Sequence, residues 1–373
     1  MADETWTIER CIKWTVEFLA SKGVEHPRVS ADWLMGAATG LDRVGIYTSF
    51  DRPLTPEELA FMHDGVVRRA KGEPLQYIIG EAPFRSLTVA CEPGVLIPRP
   101  ETEMLVELVL DRLARTIPDM AKPARERTEL PWNAEVERAR EAERAAAAAE
   151  AGAEGAADAG EDVAPEGDAP AAPDTDDAQS VAQDEMTRED DAIAPAEVRV
   201  LEVGCGTGCI SLALASERPG RVRCIATDIS ERAVSLAERN RAQLGIDPET
   251  VDFRLGDLVA PVTAEEAGTF DALVSNPPYI PTSVMGTLPD EVGKHEPDLA
   301  LDGGADGLNV FRRLLAAAPA MLKPGALFAC ELFEDSLEAA AALCRQAGMD
   351  EVEIMPDLTG RSRFVLARTP ARL

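Results

Sequence analysis

The chain has 373 residues, of which 37 are basic and 67 acidic, so its formal net charge is −30. At about 100–200 residues per domain, this length predicts two globular domains and some unstructured chain. An acidic surface of this size disfavours a nucleic-acid partner, because it repels phosphate backbones.

The sequence also argues against a membrane protein, since no stretch approaches the roughly 18 uninterrupted apolar residues that a spanning helix needs. The start, MADETWTIER, lacks the basic and apolar parts of a secretory signal. The seven cysteines are scattered without a C-x-x-C pair, and only three histidines occur. We therefore expect a cytoplasmic protein with reduced thiols, no disulfide framework and no metal site.

Residues 1–85 are predicted to form a small helical bundle that serves recognition or packing. Apolar residues recur at helical spacing from Ile8 to Leu19. Ser30 is predicted to cap a second helix, and Thr55, followed by a proline and two glutamates, is predicted to cap a third. Residues 86–117 are interpreted as a connecting segment with a loop and a helix.

Residues 118–196 form an acidic segment with 7 basic and 22 acidic side chains, half of the net charge of the chain. From about Ala145 it is almost wholly Ala, Glu, Asp, Gly and Pro, a composition that cannot offset the entropy cost of ordering. We expect a disordered insertion, either a tolerated surface loop or a tether that binds a partner.

Residues 197–373 alternate between short β-rich runs and helical stretches. This alternation predicts an α/β fold, a doubly wound and mostly parallel sheet with helices on both faces. Ligands of such sheets bind at the carboxyl ends of the strands. The predicted strands are Val198–Val203, Val222–Thr227, Val251–Leu255, Ala272–Ser275 and Ala326–Leu332, and the predicted helices include Ile210–Glu217, Glu231–Leu244 and Leu308–Leu322.

A glycine-rich turn follows the first predicted strand. Glu202 lies two positions before Gly204, and Cys205, Gly206, Thr207 and Gly208 complete the turn. Alternate glycines let the backbone approach a ligand and expose its N–H groups at a helix start. The third glycine comes one residue too early for a dinucleotide fingerprint, so the spacing indicates another ligand.

Acidic residues end the next two strands. Asp228, 20 residues after Gly208, is placed to accept hydrogen bonds from the two hydroxyls of a ribose. Asp257, beside the apolar Leu258, is placed to meet an adenine amino group and ring face. Either acid alone is also typical of a helix cap.

The fourth predicted strand ends in Asn276, Pro277, Pro278 and Tyr279, the most specific motif of the chain. The two prolines remove two backbone donors and fix the turn. The Asn276 side-chain oxygen and the Pro277 carbonyl are then placed to accept from one planar NH₂ group, while Tyr279 offers a flat face for stacking. As a plain turn, the string has no chemical role.

These strand ends fit S-adenosylmethionine, whose sulfonium already makes its methyl group electrophilic. The protein need only align the donor with an acceptor nitrogen, and such positioning is worth up to roughly 7–11 kcal/mol. Two carbonyl acceptors on an amide NH₂ stabilise the charge that develops on nitrogen as the methyl arrives. No histidine or cysteine is required for this chemistry.

At this point the chain resembles the class I methyltransferases and, within them, the peptide chain release factor glutamine methyltransferases (PrmC/HemK). The resemblance covers residues 1–115 and 197–373. Besides the glycine loop and the N-P-P-Y string, it is carried by Gln76–Gly80, Leu96–Glu103, His295–Pro297, Ala300–Gly304 and Asp306–Leu308.

The resemblance implies methylation of the side-chain amide of the glutamine in the Gly-Gly-Gln motif of release factors, which act in translation termination. It implies that Gly204–Gly208 hold the methionine part of S-adenosylmethionine, Asp228 the ribose, and Asp257 with Leu258 the adenine. The target glutamine would bind Asn276–Tyr279, with Asn276 also near the reacting centre. A specific role for Arg99 is left open, relatives often carry an aromatic residue in place of Leu258, and a monomer is expected.

Two alternatives remain at this stage. An amino-group methyltransferase acting on adenine or guanine in RNA or DNA shares the N-P-P-Y chemistry but requires a basic patch, whereas the chain outside the insertion is still acidic. A non-catalytic adapter would not require the glycine loop, Asp228 or Asn276.

Overall fold

The structure is a computed structural model that describes residues 5–117 and 197–371. The acidic segment predicted at 118–196 lies outside the described residues. The division of the chain into domains remains a prediction.

Five helices form the N-terminal bundle around a core that includes Ile12, Leu34 and Met62. The predicted helix start at Thr55 is confirmed by a reciprocal capping box between Thr55 and Glu58, although this helix is the fourth of the bundle and not the third. The helices are α1 (Ile8–Ser21), α2 (Pro27–Thr39), α3 (Arg43–Thr48), α4 (Pro56–Ala70) and α5 (Leu75–Ile79).

The predicted cap at Ser30 is wrong. Helix α2 begins three residues earlier, at Pro27, whose fixed φ suits the first helical position. Ser30 lies buried inside the helix, where its hydroxyl accepts a hydrogen bond from Arg69 Nε of α4 at 3.4 Å. The polar side chain therefore serves helix packing rather than helix initiation.

A β-hairpin that the sequence did not predict follows the bundle. Its strands, β1 (Glu81–Phe84) and β2 (Leu87–Ala90), are four residues long and antiparallel. After a segment without regular structure, α6 (Pro100–Thr116) begins inside the Leu96–Glu103 run.

A seven-stranded sheet forms the centre of the C-terminal part. Its strands are β3 (Val198–Val203), β4 (Val222–Asp228), β5 (Val251–Leu255), β6 (Phe270–Ser275), β9 (Leu322–Glu331), β10 (Asp350–Pro356) and β11 (Ser362–Arg368). The strand order is β10-β11-β9-β6-β3-β4-β5, and all neighbours are parallel except the pairs that involve β11. All five predicted strands are present, and the sequence did not predict β10 and β11.

Helices cover both faces of this sheet, which confirms the predicted doubly wound fold. On one face, α6 packs with α7 (Cys209–Glu217) and α8 (Glu231–Gln243). On the other face lie α11 (Asn309–Met321) and α12 (Leu337–Gln346). Alternate residues of β3, β4, β6, β9 and β11 are buried against opposite faces, so these five strands are apolar on both sides, whereas the edge strand β5 buries side chains on one face only.

Short elements connect β6 to α11. Strands β7 (Ile280–Pro281) and β8 (Asp302–Gly304) pair in parallel, and α9 (Asp290–Gly293) and α10 (Asp298–Leu301) lie between them. Among the described residues, none of the helices is both long and apolar enough to cross a membrane.

Candidate active site

One cavity of about 540 Å³ lies where β3, β4, β5 and β6 end. Residues that directly follow these four strands line it, as the sequence predicted for a parallel sheet. The segment 94–99 and the segment 297–302 supply further parts of its wall. The predicted site residues on its wall are Glu202, Gly204, Cys205, Gly206, Thr207, Asp228, Asp257, Leu258, Asn276, Pro277 and Pro278.

The glycine loop meets the cavity with its first four residues, whereas Gly208 lies behind them. A Cβ on Gly208 would come within 2.7 Å of Phe253 Cζ and 3.1 Å of Ala237 Cβ. Gly208 therefore allows the start of α7 to pack closely on β5 and α8. Gly208 itself does not line the cavity and affects it only through the position of the loop.

Asp228 holds the glycine loop as well as facing the cavity. Its Oδ2 accepts a hydrogen bond from Gly206 N at 2.9 Å, and its Oδ1 accepts one from Ser230 N at 2.9 Å. Burial raises the pKa of Asp228, while these backbone donors lower it. Because a carboxylate has about four acceptor positions, both oxygens retain capacity for ribose hydroxyls.

Glu202 is fully buried and has one carboxylate oxygen that lacks a partner among the described residues. Its Oε2 accepts from the backbone N–H of Ser211 at 2.9 Å and from the Ser211 hydroxyl, whereas Oε1 is unpaired. Burial raises the pKa of Glu202 to about 8. An unpaired buried acceptor on the cavity wall fits the ammonium group of the methionine part of S-adenosylmethionine.

Asp257 and Leu258 form the other end of the cavity. Asp257 is half-exposed, and its Oδ2 accepts from Arg313 Nη2 at 2.6 Å, a partner that the sequence did not reveal. The Leu258 carbonyl accepts from the Thr227 hydroxyl at 2.7 Å. Asp257 Oδ1 and the Leu258 side chain are therefore the groups available to an adenine ring there.

Asn276, Pro277 and Pro278 line the cavity, whereas Tyr279 packs into the apolar cluster on the α11 side of the sheet. Asn276 Nδ2 donates to Thr102 Oγ1 at 3.1 Å. Tyr279 donates its hydroxyl to Glu331 Oε1 at 3.4 Å, and burial raises its pKa. Tyr279 is therefore not among the residues that line the cavity, and Asn276 is the polar side chain that this motif presents there.

The glycine-rich motif at 300–308 supports the N-P-P-Y turn from behind. A Cβ on Gly303 would come within 2.7 Å of both Tyr279 Cα and the Gly307 carbonyl oxygen. A side chain at this position would push the two segments apart. The motif therefore fixes the backbone of the turn that carries Asn276.

The remaining motifs of the resemblance also converge on the cavity. Arg99, on its wall, forms an ion pair with the buried Glu296 at 2.6 Å. Burial raises the pKa of Glu296, and Arg99 lowers it. The Tyr77 hydroxyl donates to the carbonyl of Val95, another wall residue, at 2.6 Å. These contacts join sequence-distant motifs into one site.

Asn240 does not line the cavity but supports the glycine loop, and the sequence did not point to it. Its side chain is almost fully buried, accepts from Ala90 N at 2.8 Å and donates to the Thr207 carbonyl at 2.9 Å. It therefore ties the β-hairpin to the glycine loop. Its spacing from Ala233 and Ala237 places it on the buried face of α8, and a lone amide on an apolar helix face was the available signal.

The sheet order, the glycine loop, an acid at the end of β4 and the N-P-P-Y turn at the end of β6 together define a class I S-adenosylmethionine-dependent methyltransferase. Within the described residues, no group of three or more His, Cys, Asp or Glu side chains is arranged to hold a metal ion. The cavity volume is in the size range of small-molecule sites. Together with the unpaired oxygen of Glu202, it fits S-adenosylmethionine as the methyl donor.

Comparison with known proteins identifies the family. Residues 10–80 match the PrmC N-terminal domain, and residues 185–286 match the methyltransferase small domain. The release factor glutamine methyltransferase of Geobacter sulfurreducens is 34% identical over 365 residues, which covers 98% of each chain. That of Moorella thermoacetica is 33% identical over 97% of this chain and 98% of its own. The chain belongs to the release factor glutamine methyltransferase family.

Among solved structures, a methyltransferase from Pyrococcus furiosus is similar over 48% of this chain and 78% of its own, with 23% identity and a TM-score of 0.35.

Proposed function

We propose that this chain transfers a methyl group from S-adenosylmethionine to the side-chain amide nitrogen of the glutamine in the Gly-Gly-Gln motif of peptide chain release factors. The observation that carries the proposal is the position of Asn276 and Pro277 on the wall of the cavity that the glycine loop and Asp228 also line. Family membership supports the same substrate class.

The roles of the site residues follow from their chemistry. S-adenosylmethionine supplies an electrophilic methyl group when it is bound. Glu202 and the loop Gly204–Thr207 would hold its methionine part, and Asp228 would accept from its ribose. Asp257 and Leu258 would meet its adenine. Asn276, on the same cavity wall, would hold the acceptor amide beside the donor.

Asn276 and Pro277 act on the acceptor. An amide nitrogen is a poor nucleophile because its lone pair is delocalised. The Asn276 side-chain oxygen and the Pro277 carbonyl would each accept one N–H of the target amide, which orients its nitrogen toward the methyl group. Charge that develops on this nitrogen strengthens both hydrogen bonds, so they stabilise the transition state more than the ground state. After transfer the positive charge of the sulfonium lies on the amide nitrogen, which releases one proton to water and becomes a neutral N-methylamide.

The proposal includes a protein partner and a cytoplasmic location. Release factors are the proposed partners, a monomer is the proposed form, and no nucleic acid is required. All seven cysteines are free and buried, in agreement with a reducing compartment.

The test is incubation of the purified chain with S-adenosylmethionine labelled in its methyl group. One sample contains a release factor, a second contains the same factor with the Gly-Gly-Gln glutamine replaced by alanine, and a third contains RNA. Peptide mapping should place the label on that glutamine in the first sample alone. Label on RNA bases would instead support methylation of nucleic-acid amino groups, and label on the alanine variant would contradict the assigned residue.

A further inference from the structure

Two buried residues outside the N-P-P-Y motif connect to its asparagine. Thr102, in the first turn of α6, is 3% exposed, and Glu331, at the end of β9, is 1% exposed. The Thr102 hydroxyl donates to Glu331 Oε2 at 2.7 Å. The hydroxyl oxygen of Thr102, Oγ1, in turn accepts from Asn276 Nδ2 at 3.1 Å. The three side chains thus form one hydrogen-bonded chain from the sheet interior to the cavity.

The direction of this chain follows from counting protons. An ionised carboxylate only accepts hydrogen bonds, so the single hydroxyl proton of Thr102 is committed to Glu331. Toward Asn276, the Thr102 oxygen has only lone pairs left, and it requires a donor. The NH₂ end of the Asn276 amide must therefore face Thr102. Its oxygen, on the opposite arm of the planar amide, is left for the cavity.

The reverse orientation would be unproductive. An Asn276 amide rotated by half a turn would present NH₂ to the cavity, where the target amide also presents NH₂. Two donors would then face each other, and one acceptor for the developing charge would be lost. A free amide has little intrinsic preference between these orientations, so the network determines which one is occupied.

We propose that Thr102 and Glu331 are positioning residues that fix the Asn276 amide with its oxygen directed at the amide NH₂ of the substrate. This inference rests on the proposed function, since it assigns Asn276 the part of acceptor. Thr102 and Glu331 do not themselves contact the reacting atoms in this scheme. They act through Asn276.

Glu331 also holds the far end of the same turn. Its second oxygen, Oε1, accepts from the Tyr279 hydroxyl at 3.4 Å. One carboxylate therefore ties both Asn276, through Thr102, and Tyr279. The two attachments fix the turn at its first and last residues.

The protonation state of Glu331 affects this arrangement. Burial raises its pKa to about 7, Thr102, Arg363 of β11 and Tyr279 lower it, and Glu101 of α6 raises it. A protonated Glu331 can donate to the Thr102 oxygen, and the Thr102 proton is then free to point at Asn276. The fixed orientation of the Asn276 amide is therefore lost as the pH falls below about 7.

The first experiment compares Thr102→Val, which keeps the shape and removes the hydroxyl, with Thr102→Ser, which keeps the hydroxyl. We expect Thr102→Val to lower kcat at least tenfold and Thr102→Ser to lower it less than threefold. The Kd for S-adenosylmethionine, measured by calorimetry, should change less than threefold in both. Full kcat in Thr102→Val would overturn the proposal, and so would equal losses in the two variants.

The second experiment tests whether the residues act through Asn276. Thr102→Val combined with Asn276→Ala should have the kcat of Asn276→Ala alone, because the positioned group is then absent. Independent, multiplying losses would contradict a positioning role. The kcat of the wild type should rise between about pH 6 and 8, and Glu331→Gln should lose this dependence. A rise that persists in Glu331→Gln, or a flat wild-type profile, would overturn the assignment of Glu331.

These results are distinguishable from failure of the proposed function. A wild-type chain that does not label the release-factor glutamine would contradict that function. A wild-type chain that labels it while Thr102→Val labels it equally fast would contradict the positioning role alone.

Discussion

Replacing Asn276 with alanine tests the acceptor chemistry most directly. The change removes one of two proposed acceptors of the charge that develops on the amide nitrogen. Loss of one preorganised group of this kind costs about 2.7–4 kcal/mol of transition-state stabilisation, or roughly 10²–10³ in kcat. Because Thr102 still donates to Glu331 at 2.7 Å, the change leaves no buried donor unpaired there. The free energy of unfolding should therefore fall by only about 1 kcal/mol.

The assay is single-turnover transfer of labelled methyl to a release factor, with thermal unfolding and calorimetric binding of S-adenosylmethionine measured on the same sample. Leu358→Ala is the matched control, because this side chain is 87% exposed in the turn between β10 and β11 and should leave all three quantities unchanged. A variant Asn276→Ala that transfers methyl at the wild-type rate would refute the acceptor role. A large loss of S-adenosylmethionine affinity would show that Asn276 serves the donor instead.

Three further changes test the other parts of the site. Asp228→Ala should weaken S-adenosylmethionine binding by about 10–100-fold in calorimetry, since it removes charged hydrogen bonds worth about 1.5–3 kcal/mol. Gly208→Ala should lower the Tm, because its Cβ would lie 2.7 Å from Phe253 Cζ, and adding Phe253→Leu should recover part of the loss. Glu202→Gln tests the pH dependence of stability. Burial raises the pKa of Glu202 to about 8 in the folded chain, so its contribution to the free energy of unfolding is fully present below the pKa of the unfolded chain and is lost as the pH rises through 8. The Tm of the unliganded wild type should therefore fall over this range, and that of Glu202→Gln should fall less.

Each of these three predictions would be contradicted by a specific result. Unchanged affinity in Asp228→Ala would contradict the ribose assignment. A Tm of Gly208→Ala that Phe253→Leu does not improve would show that contact with Phe253 is not the source of the strain. Identical pH dependence of Tm in the wild type and Glu202→Gln would show that Glu202 does not titrate in this range.

Local sequence patterns predicted the strands of the sheet well, because the bounds of a strand depend mainly on residues that are close in the sequence. The strands from Val198 to Leu255 match their predicted bounds to within one residue, and the strand-end residues Asp228 and Asn276 lie on one cavity. The capping box at Thr55 was predictable for the same reason. Ser30 failed as a cap because Pro27, three residues earlier, offered a better helix start.

Contacts between distant positions were not predictable in this way. Thr102 lies 229 positions from Glu331 and 174 from Asn276, so no local pattern reports their contact. Arg313 pairs with Asp257 across 56 positions. The orientation of Tyr279 into the protein depends on β9 and on the apolar cluster around it, neither of which the N-P-P-Y string contains.

The hydrogen bonds of Asn240 have a consequence for exchanging parts between relatives. Asn240 forms hydrogen bonds with the main chain of Ala90 and Thr207, not with their side chains. A chimera that carries the N-terminal bundle of another family member can therefore keep this junction whatever residue occupies position 90, provided that the hairpin comes with the bundle. Joining the two parts between α5 and β1 would instead separate the bundle from its own hairpin, so the transplant boundary belongs after Ala90.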